Sequence, residues 1–321
     1  MVNAISDEQV SVVPVEFPSY AKTTQIKGKY WIPAVATEYK GIVQIAHGMT
    51  EYIDRYDDFA RFLVNNGFVV VGHDHLAHGQ SVNSKAEWGK LPALTGKDAL
   101  IEDMHTLRMM AQERFGSDVP YFVFGHSMGS FVVRAYIARH GDGLAGAIVC
   151  GTGHQPAAKS KMGNMLARLI TRVKGDAYHS NLMHGMADGA YSKAIPDART
   201  PHDWLNTDPA KVDTYRADEA CGYMFTISGY AALTDLTTEI ALPAVIAAVP
   251  ANLPVLFIAG SEDPVGDNGE GVRLVVSLFE KAGKNVTLKL YEGMRHEILN
   301  EPRYEEVYRD VIAWLNGVLA C

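Results

Sequence analysis

One stretch constrains this chain more than any other. Residues 121–130 read YFVFGHSMGS: an apolar, β-prone run stops at Gly125, and Ser127 and Gly129 lead into the helix-compatible FVVRAYIARH. A strand that passes into a helix across two glycines makes a very tight turn. A serine at its apex is held in a strained backbone conformation. Side chains two residues before and two after it would collide, and glycine at 125 and 129 relieves that clash. The hydroxyl then projects above the sheet edge at a helix N-terminus, where free N–H groups and the helix dipole favour developing negative charge. The G-x-S-x-G pattern predicts a nucleophile elbow, which needs a base, an acid and an oxyanion hole from elsewhere in the chain.

The other segments supply a sheet to carry that turn. GIVQIAHG, FVVVGHDH, YFVFGHS, LAGAIVCGTG, PVLFIAGSED and VTLKLYEG read as short buried strands. They alternate with helical patterns over 56–67, 96–115, 127–140 and from near Glu301 onward, which predicts a mostly parallel, doubly wound α/β sheet. TTQIKGKYWIPA reads as an antiparallel hairpin at the sheet edge. From about Gln155 to Ile240 no convincing strand occurs. This helical, Met- and Ala-rich stretch reads as an insertion after the sixth strand, lying over the carboxyl ends where such sheets bind ligands. The domain reading is therefore a core of residues 1–154 and 241–321 with a helical cap or lid at 155–240.

The 321 residues suffice for one large core. A net charge of −8 argues against nucleic acid as a partner. Three scattered cysteines, Cys150, Cys221 and Cys321, argue against a disulfide framework. The start, MVNAISDEQV, carries no signal-peptide pattern, and the apolar run ALPAVIAAVP is too short to span a bilayer. The expected location is cytoplasmic.

Two polar residues follow strand ends on the same sheet edge as Ser127: Asp263 after PVLFIAG and His296 after VTLKLYEG. The order Ser127, Asp263, His296 matches a known order of nucleophile, acid and base. Serine is a poor nucleophile until an imidazole takes its proton, and the acid fixes the imidazole tautomer. Glu262 and Asp267 are rival acids; Asp263 is preferred because its turn lies nearest the strand end. The oxyanion donors expected are the N–H of Met128 and, from the loop AHGMTEYIDRY, that of Met49, with Gly48 letting the backbone turn.

HGMTEYIDRY, DHLAHGQS, GHSMGS, GSEDPV and GMRHEILNE together resemble the monoacylglycerol lipase and lysophospholipase branch of the α/β-hydrolases, also labelled serine aminopeptidase-like. The resemblance runs from about Val35 to Asn316. It implies the α/β-hydrolase fold, a mostly parallel eight-stranded sheet with helices on both faces and a helical lid after strand 6. It implies acyl-ester hydrolysis with no metal or organic cofactor. Ser127, Asp263 and His296 would take the triad roles, and Met49 and Met128 the oxyanion roles. Glu51 and Arg55 match an E-x-x-x-R feature of structural character, beside the supporting Gly48, Gly125 and Gly129. One departure is Ala77, where the branch has the first glycine of D-x-x-G-H-G-x-S; a small local shift is expected.

A rival constellation is GHDHLAHG, where His73, Asp74, His75 and His78 approximate the zinc motif H-x-H-x-D-H. Ala77 stands where that motif needs aspartate, and no matching downstream ligand set is seen. A non-enzymatic binding protein would be expected to lack a triad member, and none is missing. Relatives of the fold that use aspartate at the elbow are disfavoured by Ser127. In the cap, Met162, Met165, Leu166, Leu169, Ile170 and Val173 fall on one helical face, beside Lys159, Lys161, Arg168, Arg172 and Lys174. The bland reading is a helix packed on the core. The functional one is a helix that admits an acyl chain and touches anionic lipid transiently.

Overall fold

The structure, a computed structural model, describes residues 10–35 and 38–320. The N-terminal leader reading and Cys321 lie outside the described residues. An eight-stranded sheet runs through the molecule in the order β1-β2-β4-β3-β5-β6-β7-β8. Its strands are β1 (Val10–Pro18), β2 (Gln25–Pro33), β3 (Gly41–Ala46), β4 (Phe68–His73), β5 (Tyr121–His126), β6 (Gly146–Cys150), β7 (Val255–Gly260) and β8 (Val286–Tyr291). β3 to β8 pair in parallel, while β2 is antiparallel to both β1 and β4. β3 to β7 are buried at every position, as their unbroken apolar runs require of strands covered on both faces.

The expected hairpin is corrected. Residues 25–33 form a single strand, and its partner is Val10–Pro18. Gly28 makes no turn: a side chain there would press on Gly72 O at 2.6 Å, so it is glycine that lets β2 lie against β4.

Helices cover both faces. On one side lie α1 (Asp57–Asn65) and α10 (Tyr304–Leu319), sealed by Phe59, Leu63, Val307 and Val311. On the other lie α2 (Gly96–Phe115), α3 (Met128–His140) and α9 (Glu270–Lys281). α10 begins three residues later than its sequence pattern suggests. Glu301 is instead buried, accepting hydrogen bonds from the N–H groups of Thr207 (3.0 Å) and Arg295 (2.9 Å).

Between β6 and β7 the chain forms α4 (Ala157–Lys174), α5 (Asn181–Met186), α6 (Pro209–Ala217), α7 (Ile227–Ile240) and α8 (Pro243–Ala248), with no strand among the described residues. α7 is part of the main core through Ile227, Tyr230, Ala231 and Leu236. Arg134 of α3 is buried and meets this segment at both ends. Its guanidinium donates to Gly153 O (3.0 Å) and to Ile240 O (3.2 Å). No carboxylate pairs with it among the described residues, and burial pulls it down to about 9.

Ala77 adopts φ 64°, inside the left-handed region. The departure from glycine is therefore felt as backbone strain, about 1–2 kcal/mol for a residue with a Cβ. Ala77→Gly should raise stability by about 0.5–1 kcal/mol after the entropy of the added glycine. Urea unfolding of the two proteins checks this.

Candidate active site

Ser127 takes φ 54° and ψ −121°, between β5 and α3. The conformation is held from both sides: its N–H donates to Cys150 O at 3.0 Å, and its carbonyl accepts from Ser130 N–H at 2.9 Å. The two glycines act differently from each other. A Cβ on Gly125 would sit 2.2 Å from Gly129 O, and one on Gly129 would sit 2.1 Å from Ala46 O and 2.6 Å from His47 O. Gly125 thus lets the helix fold back on its own strand, and Gly129 lets it press on the end of β3.

His296 is buried and its Nδ1 donates to Asp263 Oδ2 at 2.9 Å. Asp263 Oδ1 accepts from Val265 N–H at 2.9 Å, while Glu262 and Asp267 are exposed. With Nδ1 protonated toward the carboxylate, the neutral ring has its lone pair on Nε2. That atom is buried without a hydrogen-bond partner. Gly151 (φ 59°) makes room for the ring, since a Cβ there would lie 3.2 Å from His296 Cε1. Gly260 lets the two loops cross, as a Cβ on it would strike Met294 O at 2.1 Å.

Ser127, His296, Met49 and Met128 line one cavity of about 320 Å³. Met128 opens α3, so its N–H has no acceptor within the helix. No protein acceptor for Met49 N–H occurs among the described residues. One part of the wall is apolar, with Phe131, Met224, Leu233 and Val265; another carries Thr50, Tyr215, His202 and Glu297. The segment between β6 and β7 contributes His184, Ala187 and Trp204, whereas no residue of α4 reaches the cavity.

Gly48 does not have a positive φ. It is needed because a Cβ would meet Glu51 Oε1 at 2.5 Å, and its N–H donates to that same oxygen. Burial would raise Glu51, but Arg55 and His126 overcome it and hold the carboxyl well below its ordinary range. Arg55 donates to Glu51 Oε2 (2.5 Å) and grips Glu297 with both terminal nitrogens (2.6 and 2.9 Å). The residues placed beside the expected pair that sequence reasoning missed are Glu297, Tyr56, His126, Gly151 and Trp204. His126 and Glu297 each adjoin a predicted site residue in sequence, and Tyr56 closes the HGMTEYIDRY motif, whereas Gly151 and Trp204 are brought in by the fold.

The histidine cluster has another character. His73, His75 and His78 are buried, with His47 added; the His47 and His75 rings stand 4.3 Å apart. Asp74 points away from them, accepting from Ile53 N–H (2.9 Å) and Gln80 N–H (2.7 Å). Among the described residues no group of three or more His, Cys, Asp or Glu could hold a metal ion. Burial pushes His73 and His47 down to about 3 and His78 to about 4.

A mostly parallel sheet, an elbow serine and a buried Asp–His pair after later strands define the α/β-hydrolase class. Residues 37–303 match the serine aminopeptidase, S33 family. A monoacylglycerol lipase of Mycolicibacterium smegmatis is 31% identical over 289 residues, covering 89% of this chain and 90% of that protein. The monoglyceride lipase of Mus musculus is 25% identical, over 91% of this chain and 87% of its own. Among solved structures, a thermostable carboxyl esterase from Bacillus coagulans in complex with glycerol superposes with TM-score 0.87 at 33% identity. It covers 96% of this chain and 99% of that one. The chain belongs to the serine aminopeptidase, S33 family, and is a hydrolase.

A histidine kept neutral in the fold takes up a proton on unfolding below its ordinary value of 6.5, so stability rises with pH there. The stability is complete above about 6.5 and drains as pH falls toward 3. For His73 alone the loss at pH about 4.5 is about 2–3 kcal/mol. His73→Leu should flatten the fall in stability between neutral and acid pH, measured by urea unfolding across that range.

Proposed function

We propose that this chain is a serine carboxylester hydrolase acting on monoacylglycerols, with lysophospholipids the second choice and short-chain esters the third. The observation that carries the reading is one cavity holding the strained serine, the Asp263-bound His296, two unengaged amides and an apolar wall. The M. smegmatis relative supports a glycerol monoester; the likeness to the B. coagulans carboxyl esterase keeps a simpler ester in view as the third choice.

In the first step Ser127 Oγ attacks the ester carbonyl carbon while His296 Nε2 takes its proton. Asp263 stabilises the imidazolium. The oxyanion is held by the N–H groups of Met49 and Met128, each such donor contributing about 3 kcal/mol. Collapse breaks the ester C–O bond, and the alcohol leaves with the proton from His296. Water then gives a proton to His296, attacks the acyl carbon, and the acid departs as Ser127 recovers its proton. Metal takes no part in this scheme.

The segment 155–240 serves as the cap of this site. The apolar face of α4 divides in the fold. Leu166 and Ile170 pack inward, while Met162, Met165, Leu169 and Val173 are exposed by 60–71%. The seam with α7 is made by small and polar residues, with Asn164 donating to Ala231 O at 2.7 Å. Arg168 is drawn toward Asp235 at 3.4 Å, leaving Lys159, Lys161, Arg172 and Lys174 as the basic rim. This exposed stripe is what would touch an anionic lipid surface. Among the described residues no helix is long and apolar enough to cross a membrane.

A panel of p-nitrophenyl esters from acetyl to palmitoyl, with monoacylglycerol and lysophosphatidylcholine, tests the chemistry. Ser127→Ala should lose activity by about 10³-fold or more, and EDTA should change nothing. Equal rates in both proteins would sink the reading, and EDTA sensitivity would return attention to the histidine cluster. For the surface, Met165→Glu with Leu169→Glu should weaken sedimentation with phosphatidylglycerol vesicles while soluble-ester hydrolysis persists. Unchanged sedimentation removes the lipid contact.

A further inference from the structure

We propose that His126 works as an imidazolium: a positioning residue that locks the loop of the base to the oxyanion loop and gives the reaction an alkaline limit of its own. This rests on reading His296 as the base.

The argument is a count of protons. His126 is buried at the end of β5, one residue before Ser127. Its Nε2 lies 3.1 Å from the His296 carbonyl oxygen, which can only accept, so Nε2 carries a proton. Its Nδ1 lies 2.9 Å from the Tyr56 hydroxyl and 3.4 Å from Glu51 Oε1. Tyr56 has one proton to give. It lies 2.8 Å from Glu51 Oε1, and Glu51 is ionised against Arg55 and can only accept. The tyrosine proton therefore goes to Glu51, and Nδ1 must also donate. A neutral His126 would set two lone pairs against each other inside the protein, at one of these contacts.

The charges agree. Glu51 and Glu297 are two buried carboxylates facing one guanidinium, Arg55. A charged His126 balances the group, and an uncompensated buried charge is strongly destabilising. The other titratable neighbours add nothing at neutral pH. The thiol of Cys150, paired with His126 across the strands, is pushed well up by burial, and so is the Tyr56 hydroxyl. The His296 ring stands 4.6 Å away and turns its Nδ1 to Asp263. Burial alone would lower His126, but the bond to Glu51 and its charge raise it above 6.5. A raised value means that the anchor is complete below 6.5 and is lost only as pH climbs above 6.5 through the raised value of the folded protein. Deprotonation takes a donor from either His296 O or Tyr56, and the base loop loosens from the oxyanion loop.

The test begins with the full-length wild type, labelled with ¹⁵N-histidine. Long-range ¹H–¹⁵N correlation at neutral pH should show both His126 ring nitrogens protonated, assigned through contacts to the Tyr56 ring protons. His126→Gln can still donate to His296 O but has no charge. Its kcat should fall about 10- to 100-fold with KM little changed, and its alkaline limb should move. Labelling of Ser127 by a fluorophosphonate would show that the elbow still folds. An unprotonated ring nitrogen on His126 at neutral pH overturns the proposal, as does an unmoved pH profile in the variant. The NMR result is independent of whether Ser127→Ala is inactive, so failure here and failure of the hydrolase reading are told apart.

Discussion

The site depends on a contact between backbones. Helix α3 presses on the end of β3 so closely that position 129 has no room for a single carbon. That approach forces Ser127 out of ordinary backbone space, and the sheet holds it there through Cys150 O. The same approach brings the start of the helix beside the 48–51 loop. One steric constraint thus sets the strain at Ser127, the direction of the helix dipole and the nearness of the Met49 and Met128 amides proposed to hold the oxyanion.

Around that contact, three loops separated in sequence are joined by charge. Gly48 N–H, Arg55, Tyr56 and His126 converge on Glu51, and Arg55 continues to Glu297 beside His296. Buried ion pairs rarely add much net stability. Their effect here is geometric: a shift of the 48–51 loop must also disturb the loop that carries His296. Asp263 fixes one side of the imidazole, and the charge cluster fixes the backbone that carries it.

Five of the six parallel strands, β3 to β7, were legible in the sequence because strands buried on both faces are written as continuous apolar runs; β8 is half-buried and reads as the alternating VTLKLY. The elbow and the loops after β7 and β8 were legible because tight turns demand particular residues. The edge was less so. β1 alternates burial and carries Pro14, and the glycine in β2 resembles a turn signal until β4 is seen against it. In the site, the link from Arg55 to Glu297 spans 242 positions and that from Tyr56 to His126 spans 70. No local pattern encodes such pairings. The six apolar positions on α4 show the limit of periodicity: it groups them on one face, but only tertiary packing divides them between core and surface.

Arg134 has a consequence for chain length. The chain leaves the sheet after Cys150 and rejoins it at Val255, and one guanidinium holds Gly153, just past the exit, to Ile240 at the end of α7. In polymer terms the segment between is a loop whose ends are already closed. Doubling such a loop adds only about 0.6 kcal/mol of closure entropy. Residues in its interior, away from the α7 seam, can be lengthened, shortened or replaced while the sheet registers no change. The fold can therefore carry different cavity walls above one unaltered elbow.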